Sequence, residues 1–311
     1  MTTLRTSSPT KISRDLRGAR LIAAWLSHFD SREQNSMSTW MATNPKDGSS
    51  AGYVRHWYID MGDCFGSEWN VDAISKRLGH AYLLDFGYLF EDFATFGAVE
   101  RPWDRAQRTP GATNFGYFSA RDFDPELWRG EYPNPAFGRM TERDGAWATR
   151  IIARFSAEDI RAAVSVGNFT NPAHTEFLVR VLLARQRRVL ERYFSKLSPL
   201  ADVQVSGRRV CATDLARSTG TFPSAAFSYH AELRRGTDDT VTVQAVAGAQ
   251  GKTCVDLAEV SVGRSVPDDS PKRYLTLRVQ NGIAPGPIVF HFYDLGAERG
   301  LRLVGIERPG S

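Results

Sequence analysis

The residues best equipped for chemistry fall in two short stretches, His28-Phe29-Asp30-Ser31-Arg32-Glu33-Gln34-Asn35 and Tyr58-Ile59-Asp60-Met61-Gly62-Asp63. An Asp, a later Asn and then an Asp-x-Gly is the order used in phosphoryl transfer, where one Asp orients the attacking hydroxyl and the Asn and second Asp hold metal ions. His-x-Asp-x-x-x-x-Asn fixes three positions, and an Asp-x-Gly at a strand end adds a further condition. The same residues also fit a plainer reading. Asp30 then turns the chain after a helix, Asn35 sits in that loop, and Asp60-Met61-Gly62 ends a strand. His28 reads as a core-packed, hydrogen-bonded histidine that braces the loop. Arg32 suits either a phosphate or a carboxylate.

The elements around these stretches determine which reading holds. Residues 14–27 predict a mostly buried helix, with Leu16, Ala19, Ile22, Ala23 and Leu26 at helical spacing and Leu21 and Trp25 widening the apolar face. Two strand-like runs, 38–43 and 53–59, are joined by the turn cluster Asn44-Pro45-Lys46-Asp47-Gly48-Ser49-Ser50. Asp60 therefore follows Asp30 by thirty residues. A long hairpin tip absorbs that length without parting the hairpin's base. A literal Asp85-Phe86-Gly87 lies farther along, inside an apolar run, and ranks below Asp60 on context and spacing.

Residues 101–140 are rich in Pro, Gly and aromatics with little periodicity. Such a segment is either functional or a structural wrap, here pinned by Trp103, Phe115, Tyr117 and Trp128. Helical patterning returns at 144–155 with Trp147, Ile151 and Ile152. Ser156 and Asp159 predict a capping box for a helix through Val166. Asn171-Pro172 opens a helix to about Phe194, striped by Phe177, Leu178, Val181, Leu182, Leu190 and Tyr193. Its basic cluster, Arg185, Arg187, Arg188 and Arg192, reads as a solvated face.

Composition then shifts. All seven tryptophans precede Arg150, and from Val203 the apolar runs are short: Val205, then 227–233, 240–246, 260–262, 274–279, 288–293 and 301–306. Gly, Pro and Asp clusters separate them, as in a small sandwich or open barrel. No catalytic constellation is visible there, and His230 and His291 read as strand residues. The expected fold class is α+β: a tail over 1–12, a mainly helical part with a short hairpin over 13–198, and a β-rich domain over 199–311.

A chain of 311 residues with 42% hydrophobic and 24% charged residues has ample length for two globular domains. No apolar run is long enough to span a bilayer. A net charge of +4 does not point to nucleic acid as a partner. The first eleven residues are polar and lack the apolar stretch of a secretory signal, so a cytoplasmic location is the default expectation. The chain has no zinc-type His pair, and hydrolase chemistry lacks support. Three cysteines make neither a zinc pattern nor a disulfide scaffold. Cys64 reads as a small buried filler. Cys211 and Cys254 precede similar segments and pair if the protein reaches an oxidising compartment.

From Arg14 to Phe194 the chain resembles the lower catalytic lobe of a protein-kinase-like fold. It is closest to the atypical HipA and secretory-pathway kinases, and to a group of uncharacterised bacterial proteins with an Asn- or Ser-His-x-Asp loop and a strand ending in Asp-x-Gly. The resemblance implies Asp30 as catalytic base, Asn35 and Asp60 as metal ligands, and Asp63 as an assisting ligand. ATP with Mg or Mn would be the cofactor, with an acceptor substrate that the residues do not name. It places activation and substrate-binding segments in 101–140. The departure is in the upper lobe. Only 29 residues precede Asp30, without a Gly-rich loop and with Lys11 as the sole lysine. Three accounts fit: an N-terminally truncated longer kinase, a partner that supplies the upper lobe, or a degenerate remnant. The first is favoured, and export of the longer form would suit the cysteine pair. The chain itself is then weak or inactive. The competing expectation is a non-catalytic pseudokinase-type binding or scaffold protein whose β domain recognises a protein or carbohydrate.

Overall fold

The computed structural model describes residues 13–47, 50–66, 72–238, 240–258, 267 and 270–309. The tail expected over 1–12, Gly48 and Ser49 of the hairpin tip, and the strand expected at 260–262 lie outside them. The fold is α+β, with three antiparallel sheets. The chain divides into two compact units, Met1–Val189 and Leu190–Ser311.

The N-terminal unit is built on α1 (Arg14–Leu26), which buries Leu16, Ala19, Leu21, Ala23, Ala24 and Trp25. It ends at Ser27, whose φ of 52° is left-handed. Gly18 allows close approach to α4 (Glu142–Ile152), since a Cβ there would stand 3.0 Å from the Trp147 ring. Beside that crossing Arg17 forks onto Asp144 at 2.7 and 2.9 Å. Asp144 also accepts from the Thr141 N–H at 2.9 Å as half of a capping box at the start of α4. Burial works to raise the Asp144 pKa, but hydrogen bonds from Arg17 and Thr141 outweigh it and hold the carboxyl below its ordinary value.

The helix α5 (Ala157–Ser165) begins at the expected Ser156–Asp159 capping box. In α6 (Pro172–Phe194) the first turn is held by Asn171, whose side chain accepts from the Ala173 N–H at 3.0 Å. The basic cluster on α6 is not a solvated face throughout. Arg187 and Arg188 are exposed, but Arg185 is buried. Its guanidinium donates to the carbonyls of Trp25 at 2.9 Å, Ala24 at 2.5 Å and Ser119 at 2.7 Å, and stacks 3.7 Å from the Phe123 ring centroid. The last carbonyls of a helix lack intrahelical partners. Arg185 supplies them from another element, which charge alone along α6 does not reveal.

Two strands, β1 (Ser36–Ala42) and β2 (Gly52–Tyr58), form an antiparallel hairpin in register from Ser36↔Tyr58 to Ala42↔Gly52. Two helices then follow, α2 (Asp72–Arg77) and α3 (Phe86–Thr95). The sequence reading placed no helix at α3. Asp85 caps it, accepting from the N–H groups of Gly87 and Tyr88 at 3.1 and 3.4 Å. The Asp85-Phe86-Gly87 triplet is thus a helix start. The stretch from 101 to 140 contains only short 3-10 turns, and buried Phe115, Phe118, Phe123 and Trp128 anchor it.

The C-terminal unit pairs two antiparallel sheets. Its remaining elements are β3 (Leu200–Ser206), β4 (Arg209–Asp214), α7 (Leu215–Ser218), β5 (His230–Arg235), β6 (Val241–Val243), β7 (Ala245–Ala247), β8 (Lys252–Asp256), β9 (Tyr274–Gln280), β10 (Ile288–Asp294) and β11 (Leu301–Glu307). One sheet runs β11-β10-β9-β5-β6 and the other β3-β4-β8-β7. Alternate residues such as Leu275, Leu277, Val279, Phe290 and Phe292 join Val210, Ala212 and Val255 in one core. The run expected at 240–246 divides at Gln244 between the two sheets. Cys211 and Cys254 are direct cross-strand partners in β4 and β8 and form a disulfide. His230 and His291 lie in strands β5 and β10. Among the described residues no helix is long and apolar enough to cross a membrane.

Candidate functional site

After Ser27 the chain enters a buried loop. Phe29 is enclosed, and its carbonyl accepts from the Glu131 N–H at 2.7 Å. Asp30 follows at 6% exposure. Arg32 Nε donates to Asp30 Oδ1, and Asn35 Nδ2 donates to Asp30 Oδ2 at 2.7 Å and to its carbonyl at 2.8 Å. The spacing of Asp30 and Asn35 therefore corresponds to direct contact within one loop. Arg32 resolves onto carboxylates: besides Asp30 it reaches Glu131 Oε2 at 3.1 Å, and its guanidinium lies 4.9 Å from the Tyr132 ring centroid. Asn134 Nδ2 donates to the Ser31 carbonyl at 2.9 Å.

The hairpin brings the second stretch to the first. Ser36 faces Tyr58, and one residue beyond the ladder the Ile59 N–H donates to the Asn35 carbonyl at 3.0 Å. Asp60 follows at once, exposed, with a left-handed φ of 60° that Asp tolerates better than most residues. Burial and the charges of Asp30 and Asp60 push the Asp63 pKa up, against weaker opposition from His28 and Arg32. Asp30, Asp60 and Asp63 thus share one electrostatic neighbourhood although thirty residues of chain separate the first two.

His28 is core-packed, edge-on to Tyr58 with ring centroids 6.2 Å apart. The hydrogen-bonding half of its expected role is not met: neither ring nitrogen has a partner with hydrogen-bond geometry. Burial lowers its pKa, partly offset by Asp30, the Asp63 backbone and the Asp63 and Asp60 charges. Cys64 is half-buried, and burial with the neighbouring Asp63 charge pushes its thiol up to about 12, which leaves it unreactive.

No group of three or more His, Cys, Asp or Glu among the described residues is spaced to hold a metal ion. The donor chemistry at the hairpin base nonetheless suits a hard divalent cation. Asp60 and Asp63 are carboxylates, and Asn35 uses only its amide nitrogen on Asp30, so its carbonyl oxygen is the atom a cation would take. Mg is commonly held by one or two carboxylates together with substrate phosphates, without an all-protein cage.

The sequence reading missed Glu131, Tyr132 and Asn134, which clamp the loop from a segment about a hundred residues away. Nothing local marks them, since a carboxylate and an Asn in a Pro/Gly-rich stretch are ordinary turn composition. Comparison with protein-family models, curated proteins and solved structures returned no match.

Proposed function

We propose that the N-terminal unit is a kinase-like phosphotransferase lobe that acts on ATP with Mg or Mn when its nucleotide-gripping elements are supplied by a longer form or a partner. The observation that supports this reading is the closed hairpin base, where the Ile59 N–H, one residue before Asp60, donates to the carbonyl of Asn35, whose side chain holds Asp30. In this reading Asp30 orients and deprotonates the acceptor hydroxyl, with Arg32 and Asn35 fixing its carboxylate. Asn35 and Asp60 would hold the metal, with Asp63 assisting, and the metal would supply neutralisation of phosphate charge. Phosphoryl transfer depends on positioning and charge neutralisation, so this chain alone is weak or inactive. A second reading, a non-catalytic binding or scaffold protein, is favoured by the engagement of both Asp30 oxygens by Arg32 and Asn35.

The test is thermal stability with and without ATP plus Mg or Mn, on wild type and Asp60→Asn. A ligand at a hundredfold its Kd adds about 2.7 kcal/mol, a shift of several degrees. Asn keeps the left-handed backbone at position 60 accessible, so the variant isolates the charge. A shift in wild type that Asp60→Asn abolishes supports phosphotransfer. No shift, or one the variant retains, favours the binding protein. Unfolding of Asp60→Asn would identify Asp60 as a structural turn residue.

A further inference from the structure

A cavity of about 870 Å³ opens in the N-terminal unit, lined by α2, Gly79 and His80, much of the stretch from Trp103 to Arg129, and Arg185. Asp30, Asn35, Asp60 and Asp63 do not line it. Its volume suits a small organic ligand and far exceeds what a simple ion requires. Two features of the wall point to the ligand's chemistry.

The first is charge. Arg105, Arg108 and Arg121 in the wall pair with Glu100, Asp72 and Asp122. Lys76, Arg129 and Arg185 instead meet neutral groups among the described residues. Lys76 Nζ lies 3.4 Å from the Asp104 carbonyl oxygen and 5.8 Å from the Tyr117 ring centroid. Arg129 donates to the carbonyls of Leu127 and Trp128 at 3.0 and 3.3 Å, and Arg185 to the three carbonyls already described. The acids Asp85 and Asp124 each direct one oxygen, Oδ1, to two backbone N–H groups. A concave wall with cations not matched by carboxylates concentrates anions.

The second is aromatic. His80 stacks on Trp103 with centroids 5.2 Å apart and planes at 16°, and Tyr88 meets Trp103 edge-on at 5.5 Å. Trp128 is 3% exposed, yet its indole N–H has no acceptor, and it lies beside Gly79, where a Cβ would come within 3.1 Å of that nitrogen. Buried donors almost always have an acceptor, and this one has none among the described residues.

We propose that this cavity binds a small organic anion bearing an aromatic ring, with Lys76, Arg129 and Arg185 balancing its charge and the His80–Trp103–Tyr88 group receiving its ring. The inference goes beyond the phosphotransfer reading and does not depend on it. The test titrates the full chain with phenyl phosphate, inorganic phosphate and benzyl alcohol, read by calorimetry and by tryptophan emission. Phenyl phosphate is expected to saturate and perturb the emission, with the other two at least tenfold weaker. Lys76→Gln should weaken phenyl phosphate at least tenfold, Lys76→Arg should restore it, and Asp60→Asn should leave it unchanged. If Lys76→Gln fails to fold, Arg129→Gln carries the same expectation. Absence of saturable phenyl phosphate binding at millimolar concentration, full affinity after charge removal, or equal affinity for inorganic phosphate would each overturn the proposal.

Discussion

In the C-terminal unit the buried carboxylates are enclosed by dedicated donors. Asp294 receives Arg208 at 2.9 and 2.8 Å, and Asp214 receives Asn281, Tyr229 and the N–H groups of Ala216 and Arg217. Burial still raises the Asp214 pKa against those bonds. Each unit buries a cation among backbone carbonyls, Arg185 in the N-terminal unit and Arg273, on Pro267 and Asp294, in the C-terminal unit, and the N-terminal unit leaves the Trp128 N–H without an acceptor. Its surface differs too: Phe86, Phe90, Phe93 and Phe96 are largely exposed on and after α3. The C-terminal unit is organised around one apolar core between its two sheets. The N-terminal unit holds the irregular stretch from 101 to 140 in place with charges and buried aromatics.

The contrast can be broken by experiment, because all seven tryptophans precede Arg150 and their emission reports on the N-terminal unit. The largest effect is expected from Arg185→Leu, which strands the carbonyls of Trp25 and Ser119 and leaves that of Ala24 with the Ser27 N–H alone. At 1–3 kcal/mol for each unsatisfied group the loss is roughly 4 kcal/mol. It should lower the emission midpoint in denaturant, while the second unit's β signal in circular dichroism holds. An unchanged emission midpoint would show that those carbonyls find other partners.

Next is the disulfide. Replacing Cys211 and Cys254 together by Ala removes a cross-link between residues 43 apart, at a cost of about 3 kcal/mol. The β signal should melt earlier with the emission midpoint unmoved. If both midpoints fall together, the two units unfold as one and the comparison fails.

The smallest is Asp144→Asn, which weakens the fork to Arg17 and costs roughly 2 kcal/mol at neutral pH. The folded pKa of Asp144 is depressed, so its contribution is present above the unfolded carboxylate value near 4 and is lost as pH falls through the folded value. Wild type and variant should therefore converge in emission-monitored stability as pH drops below about 4. A difference that does not shrink as pH falls below about 4 would assign the effect to packing.

Several features were legible because they are local. The helical period marked α1 and α6, the Ser156–Asp159 pair marked α5, and the turn cluster at 44–50 with apolar runs on either side marked the hairpin. That Asp30 and Asn35 share one loop was legible from their spacing, whereas the hydrogen bond between their side chains was not. Other features were not. The strands carrying Cys211 and Cys254 are short and mixed in polarity, and no period distinguishes them from loop. Arg187 and Arg188 are exposed as an arginine cluster on a helix predicts, whereas their neighbour Arg185 points inward.

By itself, then, the sequence determined α1, α5, α6 and the hairpin, the α-to-β change along the chain, and the placement of Asp30, Asn35 and Asp60 at the two ends of that hairpin. These follow from periodicities of 3.6 and 2 and from caps that act within a few residues. Only the tertiary structure decided which groups answer the buried charges. Arg32 meets Glu131 across 99 residues and Arg185 meets Ala24 across 161. A charge must be matched wherever burial removes water, and the match is chosen by what the fold brings within 3 Å, a distance along which sequence order has no bearing.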